Sequence, residues 1–392
     1  MKEQIFKDVQ VEYFKEDNIF RCGNIELICP YDLIKQQSKD FELYLFKNLH
    51  LNNAQRDIWN IRIKGEGLEV QTCGLLFPIT RLEASEDELS DIIISDKTKS
   101  IRNEYKYVAY ELLLKKIFKR ANNTQNPKRI SEIFPDVYIL ILYKKFFKED
   151  FNIFNYLPSL YKLGFLYIES DSLDARIPEL HHLDIISNDD LKKQNNILLK
   201  RTCSDISKNN YIKNLFSRDL VFVDNCLARF MMLYQIIEIY IEDRLEYDAQ
   251  KYLDMYKRKQ CNFNDFREQI NNLQKERSRV TNLFQKLANE TDNFDSECKK
   301  LNIVFNEKDT SFGSKLYSLR NKLVHGYHLI NFPQNLENLI IDIESVVIEL
   351  LITKPICFRE YIQETAYFLS LTNNLCCEDN WYMAEINCSK FK

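Results

Sequence analysis

Glycine is scarce in this sequence, with seven residues in 392, and none lies in a phosphate-binding pattern. Neither GxxxxGK[ST] nor GxGxxG occurs. Both loops need glycine because their backbone N–H groups must wrap closely around phosphate oxygens. The scarcity therefore argues against ATP or dinucleotide binding through these motifs, and we expect no cofactor.

The 11 cysteines lack the spacing of a metal site or a disulfide framework. No CxxC occurs, and the adjacent pair Cys376 and Cys377 has no partners at zinc-ribbon spacing. The irregular spacing favours reduced thiols in a cytosol. No apolar run approaches the roughly 20 residues that cross a bilayer, and no basic-then-apolar signal segment is present. We therefore expect a cytoplasmic protein with no metal and no membrane partner.

Length and charge set the broad class. A chain of 392 residues is longer than one hydrophobic core usually organises, so two domains are expected. A hydrophobic content of 45% is ordinary for a globular protein. The net charge of -4 argues against a globally basic nucleic-acid coat but permits a local basic patch.

The first half of the chain has a mixed texture. Short β-like runs cover residues 19–29, 59–64 and 68–76, and the last two are separated by turn glycines, which predicts a hairpin. Helix-period patterns cover residues 101–121 and 137–148, and residues 161–170 suggest a helix end followed by a strand. Lysines and phenylalanines interleave over residues 115–148, which suits either a nucleic-acid surface or solvated helix faces.

The second half is helical in pattern. Residues 188–212 are mostly polar and predict a linker or exposed connection. Beyond them, helices are predicted at residues 215–257 (two helices or one bent helix), 263–288 (an amphipathic arm), 311–325, 335–352 and 359–371. The expected fold class is therefore α+β, with a mixed region over residues 1–200 followed by an all-α bundle over residues 201–392.

One segment carries chemical content. Residues 316–326 read LYSLRNKLVHG, which places Arg320, Asn321 and His325 close together on a predicted helix. Asn321 and His325 are four apart and share a helix face. Tyr317 precedes them on that stripe, and His328 follows it if the helix continues. Arg176 stands at similar spacing to His181 and His182, but Pro178 interrupts any helix there.

These residue types can bind a phosphate and transfer a proton without a metal. Histidine can take or give a proton near neutral pH. Arginine offers a permanent charge and a fork that matches phosphate. The resulting hypothesis makes His325 the proton-transfer group, Arg320 the phosphate clamp and Asn321 a positioning group.

Four further residues are accessory candidates, and three of them have an ordinary alternative. His328 is a second proton-transfer candidate or simply a neighbour. Glu238, within an apolar helix pattern, binds the arginine or lies on the solvent stripe. Lys322 contacts RNA or is solvated, and Tyr317 belongs to the polar stripe. Arg320 and His325 themselves have a plain alternative, as a surface arginine and a cation at a helix C-terminus.

The segment resembles the signature of the HEPN superfamily, in which an arginine, a polar residue and, a few residues later, a histidine lie on a late helix of a bundle. The resemblance covers about residues 215–371. It implies a metal-independent endoribonuclease, active as a homodimer, that cleaves RNA by 2′-OH attack. A variable N-terminal region before such a domain resembles prokaryotic antiviral, abortive-infection toxins. That layout implies a sensor region that binds a phage-derived or cellular activator.

A different class of function stays open. The helical bundle is alternatively the dimerisation module of a non-catalytic RNA- or protein-binding regulator. For the nuclease we expect a two-fold dimer in which the helices of residues 311–325 meet near the axis, with Arg320 and His325 of each chain lining one shared cleft. Apolar side chains of residues 215–245 are expected to supply much of the buried interface.

Overall fold

The computed structural model describes most of the chain. The described residues are 2–4, 11–14, 16–22, 25–28, 37–48, 58–64, 70–82, 103–117, 129–134, 136–147, 151–169, 196–285, 293–301, 303–326 and 336–356. The predicted helix at residues 359–371 and the Arg176 segment both lie outside these ranges.

The N-terminal region contains two sheets. The first is an antiparallel meander of β1 (Lys2–Gln4), β2 (Val11–Phe14), β3 (Ile19–Cys22) and β4 (Ile25–Ile28). The second contains β5 (Phe41–Lys47), β6 (Trp59–Lys64), β7 (Val70–Pro78), β8 (Val137–Tyr143), β9 (Leu166–Ile168) and β10 (Asn196–Leu199). The spatial order of this six-stranded sheet is β10-β6-β7-β8-β5-β9, and only the β10–β6 pair is parallel.

Two strand predictions are confirmed, and one is corrected. Strands β6 and β7 pair as the expected antiparallel hairpin, and a short helix precedes β9 as expected. The predicted single strand at residues 19–29 is instead two strands, β3 and β4, which pair with each other. Gly23 and Asn24 lie between them, and these are residue types that favour a turn.

The predicted helix at residues 137–148 is wrong. Residues 137–143 form β8, a central strand whose first six residues are all buried, and a 3₁₀ helix follows at Lys144–Phe146. The run VYILILY is continuously apolar, so it carries neither a helical nor a strand period. Its β-branched and aromatic content and its short length are what favour a buried strand.

The predicted linker also needs correction. Within residues 188–212, β10 adds to the edge of the six-stranded sheet by pairing in parallel with β6. Ile197 and Leu199 are buried, while Leu198 between them is 44% exposed. This alternation of three residues is too short to stand out from the polar sequence around it.

Helices account for most of the remaining described residues. They are α1 (Asn103–Ile117), α2 (Ile130–Ile133), α3 (Leu157–Lys162), α4 (Asn210–Asn214), α5 (Leu220–Phe222), α6 (Cys226–Lys257), α7 (Phe263–Leu273), α8 (Glu276–Leu283), α9 (Phe294–Lys300), α10 (Phe312–His325) and α11 (Leu336–Thr353). Further 3₁₀ helices cover Ser38–Asp40, Ile79–Leu82, Ile153–Tyr156 and Ile206–Lys208, and a π-helical turn covers Leu215–Asp219. The predicted α+β class, with a sheet region followed by a helical region, is confirmed.

Several helix predictions are close to the observed bounds. Helices α10 and α11 match the predictions at residues 311–325 and 335–352. The stretch 215–257 is divided rather than continuous, because extended backbone at Val223 precedes the Asn225 cap of α6. The Asn225 side chain accepts a hydrogen bond from the Ala228 N–H at 2.9 Å, which satisfies an otherwise free amide at the helix start.

A buried polar cluster joins the sheet region to the helices. Arg229 on α6 forms an ion pair with Glu344 on α11 and donates a hydrogen bond to the Tyr161 hydroxyl on α3. The Arg229 and Glu344 side chains are only 4% and 2% exposed. Residues 1–355 accordingly form one compact unit, and the proposed division near residue 200 stays a prediction.

The described residues also bear on the thiols and on membrane-spanning helices. Cys73, Cys226, Cys261 and Cys298 are free thiols. Among the helices in the described part of the chain, none combines the length and apolar character that crossing a bilayer requires.

Candidate functional site

Helix α10 presents the candidate residues, and its sequence fixes where it starts. Ser311 caps it, since its hydroxyl accepts from the Ser314 N–H at 3.2 Å and the Ser314 hydroxyl accepts from the Ser311 N–H at 3.1 Å. Gly326 ends it, with its N–H bonded to the Lys322 carbonyl at 2.8 Å. Its φ is -125°, so the helix ends without the left-handed cap that glycine often provides.

One face of α10 is buried and packs against its neighbours. Leu316, Leu319 and Leu323 recur at helical spacing and pack inward. Gly313 lies where α8 crosses, because a Cβ there would stand 2.7 Å from the Thr281 Cα and from the Val280 carbonyl oxygen. Close packing on α8 thus fixes the helix that carries Arg320.

Arg320 bridges α10 and α6. Its Nη2 lies 3.4 Å from the Glu238 Oε1, and its Nη1 donates to the Asn321 Oδ1 at 3.1 Å. The guanidinium also lies over the Tyr234 ring, with Cζ 5.6 Å from the centroid. The Arg320 side chain is 22% exposed, so solvent reaches part of a guanidinium that three neighbours hold in place.

Tyr234 forms the floor under this arginine. Its hydroxyl donates to the Glu276 Oε1 on α8 at 3.4 Å, and burial, followed by the charge of Glu276, raises its pKa well above the usual value. Tyr234 therefore stays neutral and serves as an aromatic surface for the cation. It is one turn before Glu238 on α6, and this tyrosine–glutamate spacing is the sequence signal that would have identified it.

The other candidates are distributed along the same helix. His325 is the last residue of α10 and is exposed, one turn beyond Asn321. Tyr317 is half-buried, one turn before Asn321. The Lys322 ammonium donates to the Val304 carbonyl, which ties it to the loop before α10. His328 lies outside the described residues.

A second ion pair positions the loop that leads into α10. The Asp309 carboxylate accepts from the Ser318 hydroxyl at 2.9 Å and pairs with Arg277 on α8 at 2.5 Å, and its side chain is fully buried. Sequence reasoning did not find this contact, because Asp309 and Arg277 are 32 residues apart and neither lies in a recognisable pattern.

Helix α10 thus carries a held guanidinium with an amide bonded to it and, one turn beyond that amide, an exposed imidazole. Glu238 contacts Arg320, as one of the two sequence-based expectations for it had it. The Arg320 Nε is buried and has no hydrogen-bond partner among the described residues. These groups can bind an anion and exchange a proton beside it.

Within the described ranges, no group of three or more His, Cys, Asp and Glu side chains is placed to hold a metal ion. Comparison with family models, with curated proteins and with solved structures finds no significant match to the chain.

Proposed function

We propose that this chain is a metal-independent endoribonuclease of the HEPN type that acts as a homodimer. The observation that supports it is the placement of Arg320, Asn321 and His325 within six successive residues of α10. Arg320 is held by Glu238 and Tyr234, so its orientation is set before any substrate arrives.

The proposed reaction is a transesterification. His325 takes the proton of a ribose 2′-OH, and the 2′ oxygen then bonds to the adjacent phosphorus. The bond from phosphorus to the 5′ oxygen breaks, and that oxygen takes up a proton. The products are a 2′,3′-cyclic phosphate and a 5′-hydroxyl. Arg320 binds the phosphate oxygens as negative charge develops, and Asn321 positions Arg320 through the 3.1 Å hydrogen bond.

A second copy of the chain supplies what one copy lacks. The reaction needs one group to take a proton and another to give one, and α10 offers a single histidine. In a two-fold dimer the second His325 fills that role. Many apolar side chains of residues 215–245, expected to form the interface, are already buried within one chain, among them Phe230, Leu233 and Ile237 at 0% exposed, while Met231, Met232 and Ile239 are half-buried.

Other residues are therefore proposed for the dimer contact. Val324, next to His325, is 40% exposed, and Val304 is 75% exposed. The Val304 carbonyl bonds to Lys322, so both valines lie beside the C-terminal end of α10. Two-fold packing of this end would bury both valines and bring the two His325 side chains into one cleft.

The biological role rests on the resemblance. We propose an antiviral, abortive-infection effector whose region 1–200 binds a phage-derived or cellular activator. The rival is a binding regulator without catalysis, in which the Arg320–Glu238 pair only bridges two helices.

Nuclease assays on purified protein separate the two functions. Arg320→Ala and His325→Ala should each abolish RNA cleavage. His325 is exposed, so its replacement should change the free energy of unfolding by no more than about 0.5 kcal/mol. Arg176→Ala and His182→Ala are matched controls, because they alter the other arginine–histidine spacing of the chain and should cleave like wild type. Equal cleavage by folded His325→Ala protein would exclude the proposed mechanism.

A further inference from the structure

The C-terminal half of α6 leaves the core and forms an arm. The buried side chains of α6 end at Ile241, so residues 242–257 extend about 24 Å beyond it at 1.5 Å per residue. Helix α7 packs back along this half and buries only Leu273 of its own residues. The two helices thus form a hairpin, and its tip, residues 256–263, lies at the end of α6 opposite to its buried half.

The tip is cationic in a chain of net negative charge. Lys257, Arg258 and Lys259 are consecutive and exposed, and none of them forms an ion pair with another described residue. The acidic residues nearest to these cations in the sequence accept hydrogen bonds from other groups. Asp254 accepts from the Gln250 amide at 3.1 Å, and Asp265 accepts from the Asn262 N–H at 3.4 Å as part of the α7 cap.

Aromatic rings lie directly beside these cations. Tyr256 stacks on Phe266 with ring centroids 5.2 Å apart, and Phe263 meets Tyr256 edge-on at 6.2 Å. Phe263 is 60% exposed and Tyr256 39% exposed. A ring that is held by its neighbours yet open to solvent loses little freedom when it stacks on a further planar group.

Lys259 occupies a backbone position at the tip that suits another residue type better. The Gln260 N–H bonds to the Met255 carbonyl at 2.9 Å and the Lys259 N–H to the Tyr256 carbonyl at 3.0 Å, which is a Schellman termination of α6. Lys259 holds its left-handed position, with φ of 58°. Glycine or asparagine is favoured there, so lysine stores strain at this position.

We propose that this tip, Tyr256–Lys259 with Phe263, is a docking surface for single-stranded RNA. Three unpaired cations match a run of phosphates, and the exposed Phe263 ring offers a base a stacking surface. A membrane is the less suitable partner, since interfacial binding needs a broad apolar face and only one strongly exposed apolar ring lies at the tip. The choice of RNA rests on the proposed function.

The same helix links the tip to the candidate site. Glu238, which holds Arg320, and Tyr256 both lie on α6, 18 residues apart. The tip therefore lies about 27 Å along a continuous helix from the residue that positions Arg320. An RNA that engages both must span at least this distance, so the arm would favour long single strands over short fragments.

Fluorescence anisotropy tests the docking surface independently of cleavage. The protein carries His325→Ala in every sample, and the probe is a labelled single strand of about 20 nucleotides, longer than the roughly 4–16 nucleotides that single-strand binding folds cover. The test variant is Lys257→Ala/Arg258→Ala/Lys259→Ala. The matched control is Lys39→Ala/Lys64→Ala/Arg129→Ala, which removes the same three charges from exposed, dispersed positions of the sheet region.

Salt dependence gives the expected size of the effect. Losing three phosphate contacts makes the slope of log affinity against log salt shallower by about 2. The parent protein binds RNA more tightly than the triple-alanine variant, and this ratio of affinities should fall about 20-fold between roughly 50 and 200 mM salt. The control should keep the parent slope. Phe263→Ala should weaken binding about 10-fold at every salt concentration, because stacking is not a charge effect.

Lys259→Gly distinguishes a binding role from a purely structural one. Glycine relieves the left-handed strain, so this variant should unfold at a higher temperature and yet bind RNA more weakly. Equal RNA affinity of the tip and control variants would overturn the proposal, as would tip-dependent binding to phosphatidylserine vesicles without RNA binding. Tip-dependent binding combined with a wild type that cuts no RNA would leave the docking surface standing and reject the nuclease.

Discussion

Replacement of Arg229 by methionine should destabilise the protein strongly and in a pH-dependent way. Arg229→Met keeps a long apolar stem but leaves the Glu344 carboxylate buried without its ion-pair partner. Burial raises the pKa of Glu344, and the Arg229 charge opposes that rise. Without Arg229 the pKa rises further, so the buried carboxyl of the variant takes up a proton.

The loss of stability in Arg229→Met follows from the free energy needed to keep Glu344 protonated in the folded state. Keeping a carboxyl of ordinary pKa 4.5 neutral in the folded state costs about 3 kcal/mol at pH 7 and about 1 kcal/mol at pH 5. Loss of the hydrogen bond to the Tyr161 hydroxyl adds about 1 kcal/mol at either pH. The total of about 4 kcal/mol at pH 7 lies within the range of about 3–5 kcal/mol for breaking a buried pair.

The sign of the pH dependence can be checked directly. A carboxyl whose pKa is raised in the folded state binds more protons folded than unfolded, so stability is retained at low pH and lost as the pH rises. Urea unfolding followed by circular dichroism at about pH 5 and pH 8 should therefore show a larger deficit for Arg229→Met at the higher pH.

The double variant Arg229→Met/Glu344→Gln supplies the control. It removes the titrating group, so its deficit should be smaller than that of Arg229→Met at high pH and the same at both pH values. A loss below about 1 kcal/mol for Arg229→Met at high pH, or one that does not change with pH, would refute the reasoning.

Three further outcomes are expected. Gly313→Ala should lower the free energy of unfolding in urea by about 1–2 kcal/mol, because the added Cβ would push against the α8 backbone at Thr281. The control Gly326→Ala, at an ordinary negative φ, should stay within about 0.5 kcal/mol of wild type. Equal effects of the two substitutions would contradict the close-packing argument. RNA cleavage should survive EDTA, because the proposed chemistry uses only Arg320, Asn321 and His325; a restorable divalent-metal requirement, with RNA folding controlled, would contradict it. Wild type mixed with excess His325→Ala should lose cleavage, because the heterodimers hold a single His325 and the proposed reaction uses one from each chain; a fully active monomer by light scattering would reject the shared cleft.

Local signals predicted the helices that carry the candidate site. Ser311 before an apolar helical period, and Gly326 after it, bounded α10 within one residue. The contact between Arg320 and Glu238 was considered from the sequence as one of two options for Glu238. Choosing between them required the folded chain, in which α8 packs against both α6 and α10 and brings together residues 82 positions apart.

The structural features that the sequence did not predict share a physical cause, because each depends on contacts between residues that are far apart in the chain. Strand β8 reads equally well as a buried helix until β5 and β7 pair on either side of it. Strand β10 becomes a strand only because β6, more than 130 residues earlier, offers a free edge. The Arg229–Glu344 pair, 115 residues apart, follows the same rule, although Glu344 within an apolar run was a signal of a buried partner.

The chemistry of the RNA ends tests the central claim most directly. Purified wild-type protein is incubated with RNA, and the new ends are sequenced with and without enzymatic removal of cyclic phosphate, beside His325→Ala and the His182→Ala control. The account expects 2′,3′-cyclic phosphate and 5′-hydroxyl ends from wild type and His182→Ala, and none from His325→Ala. The same ends at the same yield from folded His325→Ala protein, or 3′-hydroxyl and 5′-phosphate ends from wild type, would contradict it.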